Sequence, residues 1–272
     1  MICSREYVIK KLTELLAKPQ KKFSQNFLVD YDVVKSSVDA LSLLDDDEVI
    51  EIGPGLGALS EEIIKRNHIL HAFEIDKVMC NHLMSTFKNN PKFKLSSGDF
   101  LKQDLNYLKD KSLCVISNLP YNLTTPIIEK IIMSSLRIKS FVFMIQKEVT
   151  ERIFAKINTK EYSPLSIMIN YLGKVSIVCR VGKDKFIPSP NVDSVVLCLK
   201  FNQDRDYQLE QKLYSLLKAS FNMRRKTILN NLVSFFSSKD KALETLNLAK
   251  INPTLRPEQL SIDDYLKIVE II

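Results

Sequence analysis

Apolar residues follow two different periods along the first half of the chain. Short β-rich apolar runs alternate with amphipathic stretches of helical period, such as Leu59–Lys65 and Val78–Phe87. Strands separated by helices of this length join through crossover connections, so the pattern predicts a mostly parallel, doubly wound sheet. The predicted strands are Val49–Gly53, His71–Asp76, Phe93–Asp99, Leu113–Leu119 and Phe141–Gln146.

The pattern changes after this alternation. A helical stretch, Pro164–Leu172, is followed by the apolar runs Val175–Val181 and Val192–Phe201, with no helix between them. Two strands connected in this way favour an antiparallel hairpin that completes a mixed sheet.

Beyond the second strand of this hairpin only helical patterns occur. We therefore predict an α/β fold whose doubly wound, Rossmann-like sheet lies in residues 1–202, and a small all-α domain in residues 203–272. The predicted helices of the second domain are Tyr207–Phe221, Lys226–Phe236, Lys239–Leu246 and Ile262–Ile271.

Composition excludes several classes of protein. No apolar run reaches the ~18 residues of a membrane span, and we expect no membrane partner. The five cysteines stand singly and the three histidines match no metal motif, so we expect a cytoplasmic protein with reduced thiols and no metal. The net charge of +7 is uneven, with +3 in residues 1–30, −4 in residues 31–136 and +6 in residues 137–185. This distribution favours a polyanion bound on one side.

The strongest local motif is the segment 49–57, a buried strand that ends in Gly53, Gly55 and Gly57 before a helix. Glycine permits positive φ and lets a ligand approach the backbone. A dinucleotide fingerprint would need a further glycine in G-x-G-x-x-G spacing, and Ala58 breaks it. The loop therefore favours a nucleoside cofactor without phosphates.

Two further strand ends carry carboxylates. Glu74 lies about twenty residues after the glycine loop, where doubly wound folds offer a carboxylate to ribose hydroxyls. Asp99 and Phe100 end the next predicted strand. We expect Asp99 to accept a hydrogen bond from an adenine amino group and Phe100 to flank the ring.

The fourth predicted strand ends in the segment 118–121, Asn-Leu-Pro-Tyr. An adenine N6 is a weak nucleophile because its lone pair is delocalised into the ring. The Asn118 side-chain oxygen and the Leu119 carbonyl provide two acceptors that draw the amine toward sp³ geometry. Tyr121 offers a face on which an extruded base stacks. These residues predict methyl transfer to an adenine amine.

With these motifs, nearly the whole chain resembles the ribosomal RNA adenine N6-dimethyltransferases. The resemblance implies a class I methyltransferase fold and S-adenosylmethionine as the cofactor. The segments that carry it are 21–28 (KKFSQNFL), the glycine loop, Glu74, 98–99 (GD), 118–122 (NLPYN), 186–194 (FIPSPNVDS) and 221–230 (FNMRRKTILN).

The resemblance also assigns roles to individual residues. It implies that Gln25, Asn26 and Leu28 close over the methionine end of the cofactor. Phe186 is implied as a second aromatic face for the flipped adenine, opposite or beside Tyr121. The residues that it places around the cofactor are Gly53, Glu74, Asp99 and Asn118.

Family members with this order of motifs dimethylate two adjacent adenines in a 3′-terminal hairpin loop of small-subunit rRNA. The resemblance therefore implies an immature 30S-type particle as the partner, and we expect a monomer. Arg224, Arg225 and Lys226 are interpreted as phosphate contacts, with a solvated helix start as the alternative.

One departure and two alternative functions stand beside this interpretation. The chain has Ser24 where the family usually has glycine. A large-subunit rRNA dimethylase of the antibiotic-resistance type would share the catalytic motifs. A ribosome-assembly or transcription factor on the same fold would lack catalysis, and the intact Asn118 and Tyr121 argue against it.

Overall fold

A computed structural model describes residues 1–17 and 25–272 of the chain. Residues 18–24, which include Lys18, Lys21, Lys22 and Ser24, lie outside the described residues. The described strands are, in chain order, β1 (Phe27–Leu28), β2 (Glu48–Ile52), β3 (Ile69–Glu74), β4 (Phe93–Ser97), β5 (Leu113–Asn118), β6 (Ile138–Gln146), β7 (Gly173–Val181), β8 (Phe186–Ile187) and β9 (Ser194–Phe201).

Helices alternate with the first strands and dominate the last third of the chain. The described helices are α1 (Arg5–Glu14), α2 (Tyr31–Ala40), α3 (Ala58–Lys65), α4 (Lys77–Phe87), α5 (Thr124–Ile132), α6 (Lys147–Ile153), α7 (Pro164–Leu172), α8 (Tyr207–Ser220), α9 (Ile228–Phe236), α10 (Lys239–Leu248) and α11 (Ile262–Ile271).

Seven strands form one mixed sheet in the order β4-β3-β2-β5-β6-β9-β7. Strands β2 to β6 pair in parallel, whereas β9 pairs antiparallel with both β6 and β7. The predicted doubly wound sheet and its antiparallel hairpin are confirmed. The hairpin's second strand, however, lies inside the sheet between β6 and β7.

The centre of the sheet is fully buried because its strands carry apolar residues on both faces. All residues of β2 are buried, and so are the first five of β5. Helix α2 packs Val34 and Val38 onto the same core cluster as Val49 and Cys114. Burying a side chain of this size contributes roughly 1.5–3 kcal/mol, so this layer stabilises the strands whose ends form the site.

The chain divides into two compact units, Met1–Thr150 with Gly173–Gln203, and Glu151–Leu172 with Asp204–Ile272. The second boundary lies one residue from the predicted one. The division differs from the prediction in the segment Glu151–Leu172, which groups with the C-terminal helices because α7 packs on α8.

Local capping explains where the C-terminal helices begin. Thr227 accepts a hydrogen bond from the Asn230 N–H, so α9 begins at Ile228 rather than at Lys226. Ser261 and Asp264 form a capping box at the start of α11. No helix in the described part of the chain is long and apolar enough to cross a membrane.

Candidate active site

A cavity opens at the carboxyl ends of β2, β3 and β5, where the direction of the strand order reverses between β2 and β5. Ligands of open α/β sheets bind at such a switch point. The residues that line the cavity are Ile2, Val8, Gln25, Asn26, Phe27, Leu28, Glu51, Gly53, Pro54, Gly55, Leu56, Ala58, Leu59, Glu74, Ile75, Asn118, Leu119, Pro120 and Tyr121.

The glycine loop forms one wall of this cavity. Gly53, Gly55 and Gly57 all have positive φ, of 69°, 59° and 92°. A Cβ at Gly53 would meet no atom within 4 Å, whereas one at Gly55 would lie 3.2 Å from the Phe27 ring. Gly53 therefore leaves open space for a ligand, and Gly55 leaves room for the N-terminal segment to pack on the loop.

Glu74 ties this loop to the end of β3. One carboxylate oxygen accepts from the Gly55 N–H at 3.0 Å, and the other accepts from the N–H groups of Ile75 and Asp76 at 2.9 Å. Burial raises the pKa of Glu74 despite these three bonds. A carboxylate has about four acceptor positions, so this group retains acceptor capacity for a ligand hydroxyl.

Glu51 is a second carboxyl group on the cavity wall, one that the sequence motifs did not identify. Burial raises its pKa to about 8, and the nearby Glu74 charge acts in the same direction. Its Oε2 accepts from the Ser60 hydroxyl at 2.5 Å, whereas Oε1 is buried with no hydrogen-bond partner among the described residues. A buried orphan acceptor of this kind fits a ligand that brings a cationic donor.

The segment 25–28 lines the cavity and is held by three sets of contacts. The Gln25 amide donates to Asp76 at 2.8 Å, and the Asn26 carbonyl accepts from the Asn118 side-chain nitrogen at 3.1 Å. Strand β1 pairs antiparallel with β8, so that Phe27 faces Ile187 in the register. The residues predicted to close over the cofactor, Gln25, Asn26 and Leu28, therefore line the cavity.

The segment after β5 forms a closed turn. The Pro120 carbonyl accepts from the Leu123 N–H at 2.9 Å, and the Thr124 hydroxyl donates to the Pro120 and Tyr121 carbonyls at 3.3 Å. The Tyr121 hydroxyl lies 3.1 Å from the Ser194 hydroxyl. This turn brings Asn118, Leu119 and Tyr121 together on one wall of the cavity.

Asp99 and Phe100 follow β4 and are not among the lining residues. Asp99 caps a short 3₁₀ turn by accepting from the Leu101 N–H at 3.0 Å. Phe100 is buried and packs edge-on against Phe73, with 5.3 Å between ring centroids. The Lys130 ammonium donates to three carbonyls of this turn at 2.7 to 3.0 Å, which fixes its position relative to α5.

Phe186 is placed differently from the expectation. It is only 1% exposed and packs in the core cluster with Leu28 and Val181, because β8 turns its ring inward. The structure therefore does not present Phe186 as a face for a flipped base. Its segment acts instead through the β8 backbone, which pairs with β1 and holds the N-terminal arm.

The predicted RNA contacts lie on an exposed turn between α8 and α9, not on a helix. Arg224, Arg225 and Lys226 are all exposed. The buried Asn231 side chain supports the turn: it accepts from the Met223 N–H at 2.9 Å and donates to the Met223 and Thr227 carbonyls at 3.1 and 3.2 Å.

Besides Glu51, the sequence motifs did not single out the lining residues Ile2, Val8 and Ile75. Ile2 and Val8 come from the N-terminal helical region, whose only sequence signal is Ser4 as a cap before apolar residues four apart. Ile75 follows Glu74 and is 41% exposed beside it. Among residues 1–17 and 25–272, no group of three His, Cys, Asp or Glu side chains is arranged to hold a metal ion.

A seven-stranded sheet with a single inserted antiparallel strand, and a glycine loop and acidic strand end at its carboxyl edge, defines a class I methyltransferase. The profile of one such family, described as "Ribosomal RNA adenine dimethylase", matches residues 16–272. The chain therefore belongs to the ribosomal RNA adenine dimethylase family. This membership confirms the reaction class and the S-adenosylmethionine cofactor predicted from the sequence.

Individual relatives agree with this assignment. The chain is 38% identical to "Ribosomal RNA small subunit methyltransferase A" of Clostridium botulinum over 94% of each chain, and 38% identical to the protein of that name in Fusobacterium nucleatum over 93% of this chain and 97% of that one. A dimethyladenosine transferase from Plasmodium falciparum superposes with a TM-score of 0.72, at 25% identity over 89% of this chain and 95% of that one. The 23S rRNA methyltransferase ErmE, at 21% identity and a TM-score of 0.63 over 90% of this chain and 98% of that one, shares the fold.

Proposed function

We propose that this protein dimethylates the N6 amines of two adjacent adenines in a 3′-terminal hairpin loop of small-subunit rRNA. The observation that carries the proposal is the hydrogen bond from the Asn118 side-chain nitrogen to the Asn26 carbonyl. It commits the amide nitrogen as a donor to the protein, so the amide oxygen is the atom left for an adenine amine.

The cavity fits S-adenosylmethionine in charge and in shape. The orphan oxygen of Glu51 suits the ammonium of the methionine part, and the open space at Gly53 suits close approach to the backbone. Glu74 has the position and remaining acceptor capacity to bind the ribose diol. When bound, the cofactor supplies an electrophilic methyl group.

We place the adenine of the cofactor beside Ile75, toward the turn capped by Asp99. Ile75 offers an exposed apolar face next to Glu74. Asp99 supplies a carboxylate on the turn that Lys130 holds in place. Phe100 supports this end from within the core rather than by flanking the ring in the open.

The protein's role in the reaction is to prepare the target amine. Acceptance by the Asn118 amide oxygen and the Leu119 carbonyl draws electron density onto N6 and favours its pyramidal form. Tyr121 provides the stacking surface for the flipped base. The methylated nitrogen releases its proton to solvent, so the site needs no dedicated general base.

The exposed basic turn 224–226 supplies phosphate contacts to the RNA. Its three cations stand on a backbone that Asn231 holds rigidly, which lowers the entropy lost on binding. We further propose that the protein acts as a monomer in the cytoplasm on an immature 30S-type particle. The name of these two relatives, which specifies the small subunit, supports that substrate over large-subunit rRNA.

The proposal is tested by methylation of isolated ribosomal particles with the purified protein and labelled S-adenosylmethionine. We expect N6,N6-dimethyladenine at two adjacent positions of small-subunit rRNA, formed roughly 10²- to 10³-fold more slowly by Asn118→Ala. Product confined to large-subunit rRNA would assign the chain to the alternative dimethylase. A product with one methyl, or with methyls on a ring nitrogen, would contradict the proposed geometry.

A further inference from the structure

The Tyr121 ring is tied at its far end to another part of the sheet. Its hydroxyl lies 3.1 Å from the Ser194 hydroxyl, although the two residues are 73 positions apart. Tyr121 follows β5, whereas Ser194 begins β9, which is separated from β5 by β6. This bond therefore connects the turn at the cavity to a second, independent element.

Ser194 is a rigid anchor because both of its neighbouring strands constrain it. It is 1% exposed and pairs with Gln146 of β6 on one side and Val181 of β7 on the other. The adjacent Asp193 carbonyl accepts from the Lys147 N–H at 3.0 Å, which extends the pairing by one residue. The Ser194 hydroxyl thus has a defined position before any substrate arrives.

The orientation of Tyr121 matters because stacking needs one particular ring plane. The tyrosine side chain has two main torsions, and a hydrogen bond at the hydroxyl restricts both of them. Burial raises the Tyr121 pKa, so the hydroxyl stays protonated and remains able to donate. A ring restrained in this way loses less conformational entropy when the base stacks on it.

We propose that Ser194 is a positioning residue, which holds the Tyr121 ring in the plane that receives the target adenine. This inference rests on the proposed role of Tyr121 as the stacking surface. It gives a role in the site to Ser194, the last residue of the segment 186–194. Ser194 itself is not among the residues that line the cavity.

A double-mutant cycle tests the proposal, with Tyr121→Phe, Ser194→Ala and the double variant. Each single change removes the same hydrogen bond, so each should lower kcat/KM for the rRNA substrate by roughly three- to tenfold. The double variant should lose no more than either single variant. Cofactor Kd should stay unchanged in all three.

Ser140→Ala is the matched control. Ser140 is a buried strand serine whose hydroxyl donates to the Leu41 carbonyl at 2.9 Å, on β6 and away from the cavity. It should leave kcat/KM unchanged. An equal loss in Ser140→Ala, or losses that multiply in the double variant, would overturn the role of Ser194.

Two further outcomes separate the inference from the proposed function. Full activity of Tyr121→Phe would overturn the positioning role. This variant tests the same hydrogen bond even if Ser194→Ala lowers stability, because Tyr121 is only half-buried. Full activity of Tyr121→Ala would instead remove Tyr121 from the stacking surface and overturn that part of the proposed function.

Discussion

The side-chain nitrogen of Asn118 donates to the backbone carbonyl of Asn26 at 3.1 Å, across 92 positions of sequence. Asn118 ends a central strand, whereas Asn26 precedes β1, which pairs with β8 outside the seven-stranded sheet. The N-terminal segment therefore does more than cover the cavity. It determines which atom of the Asn118 amide is available to a substrate.

This relationship leads to a prediction for Asn118→Ala. The acceptor acts mainly in the transition state, so kcat should fall by roughly 10² to 10³ while rRNA binding persists. Single-turnover methylation assays together with binding measurements separate the two effects. A loss confined to rRNA affinity, with kcat retained, would show that Asn118 only binds the substrate.

Glu74→Gln tests the ribose contact while keeping the size of the side chain. We expect cofactor Kd to rise at least tenfold, because a charge-assisted hydrogen bond contributes about 1.5–3 kcal/mol. Calorimetry with 5′-methylthioadenosine and its 2′-deoxy analogue gives the sharper measurement: the wild type should prefer the diol, and the variant should lose most of this preference. A preference of unchanged size in the variant would place the diol elsewhere.

Glu51 should make the stability of the ligand-free protein depend on pH. Its pKa in the folded chain is about 8, against an ordinary value near 4.5, so between these values the folded state holds a proton that the unfolded chain has released. Stability should therefore fall as pH rises through this window, by up to about 1.4 kcal/mol per pH unit. Glu51→Gln should remove the part of this decline that Glu51 contributes.

Thermal unfolding at pH 5 and at pH 8 checks the prediction. The Tm difference between Glu51→Gln and the wild type should grow in favour of the variant at pH 8. The exposed Glu151 provides a control, since Glu151→Gln should follow the wild type at both values. A constant difference for Glu51→Gln would mean that this carboxyl is already ionised at pH 5.

Charge reversal of Arg224 and Arg225 should weaken binding to small-subunit particles and flatten its salt dependence. Cofactor Kd should not change. The control is the same reversal at Lys239 and Lys241, which are exposed in the same helical unit. Equal effects in the two double variants would point to net charge rather than to a local contact.

Much of the fold followed from the sequence because its local patterns carry the information. Apolar runs bounded by glycine or acidic turns located β2 to β6 to within a few residues, and the capping box located α11. The motifs at four strand ends predicted a shared site there, since carboxyl ends of parallel strands share one edge of a sheet. The structure groups Gly53, Glu74 and Asn118 in one cavity, whereas Asp99 is not among its lining residues.

What only the tertiary structure decided depends on contacts between distant residues. The family resemblance implied that Phe186 presents its ring to a flipped base, but pairing of β8 with β1 turns this ring into the core. Glu51 reads as one more polar residue on a strand, and only enclosure by the sheet and α3 makes it a buried carboxyl with an orphan oxygen. The bond from Tyr121 to Ser194 exists because β9 inserts beside β6.

The sequence by itself determined which elements form and which residue types stand at their ends, because propensity and periodicity are local. The neighbours of each side chain, and so its exposure, charge state and orientation, were decided by strand order and pairing, which join residues far apart in the chain.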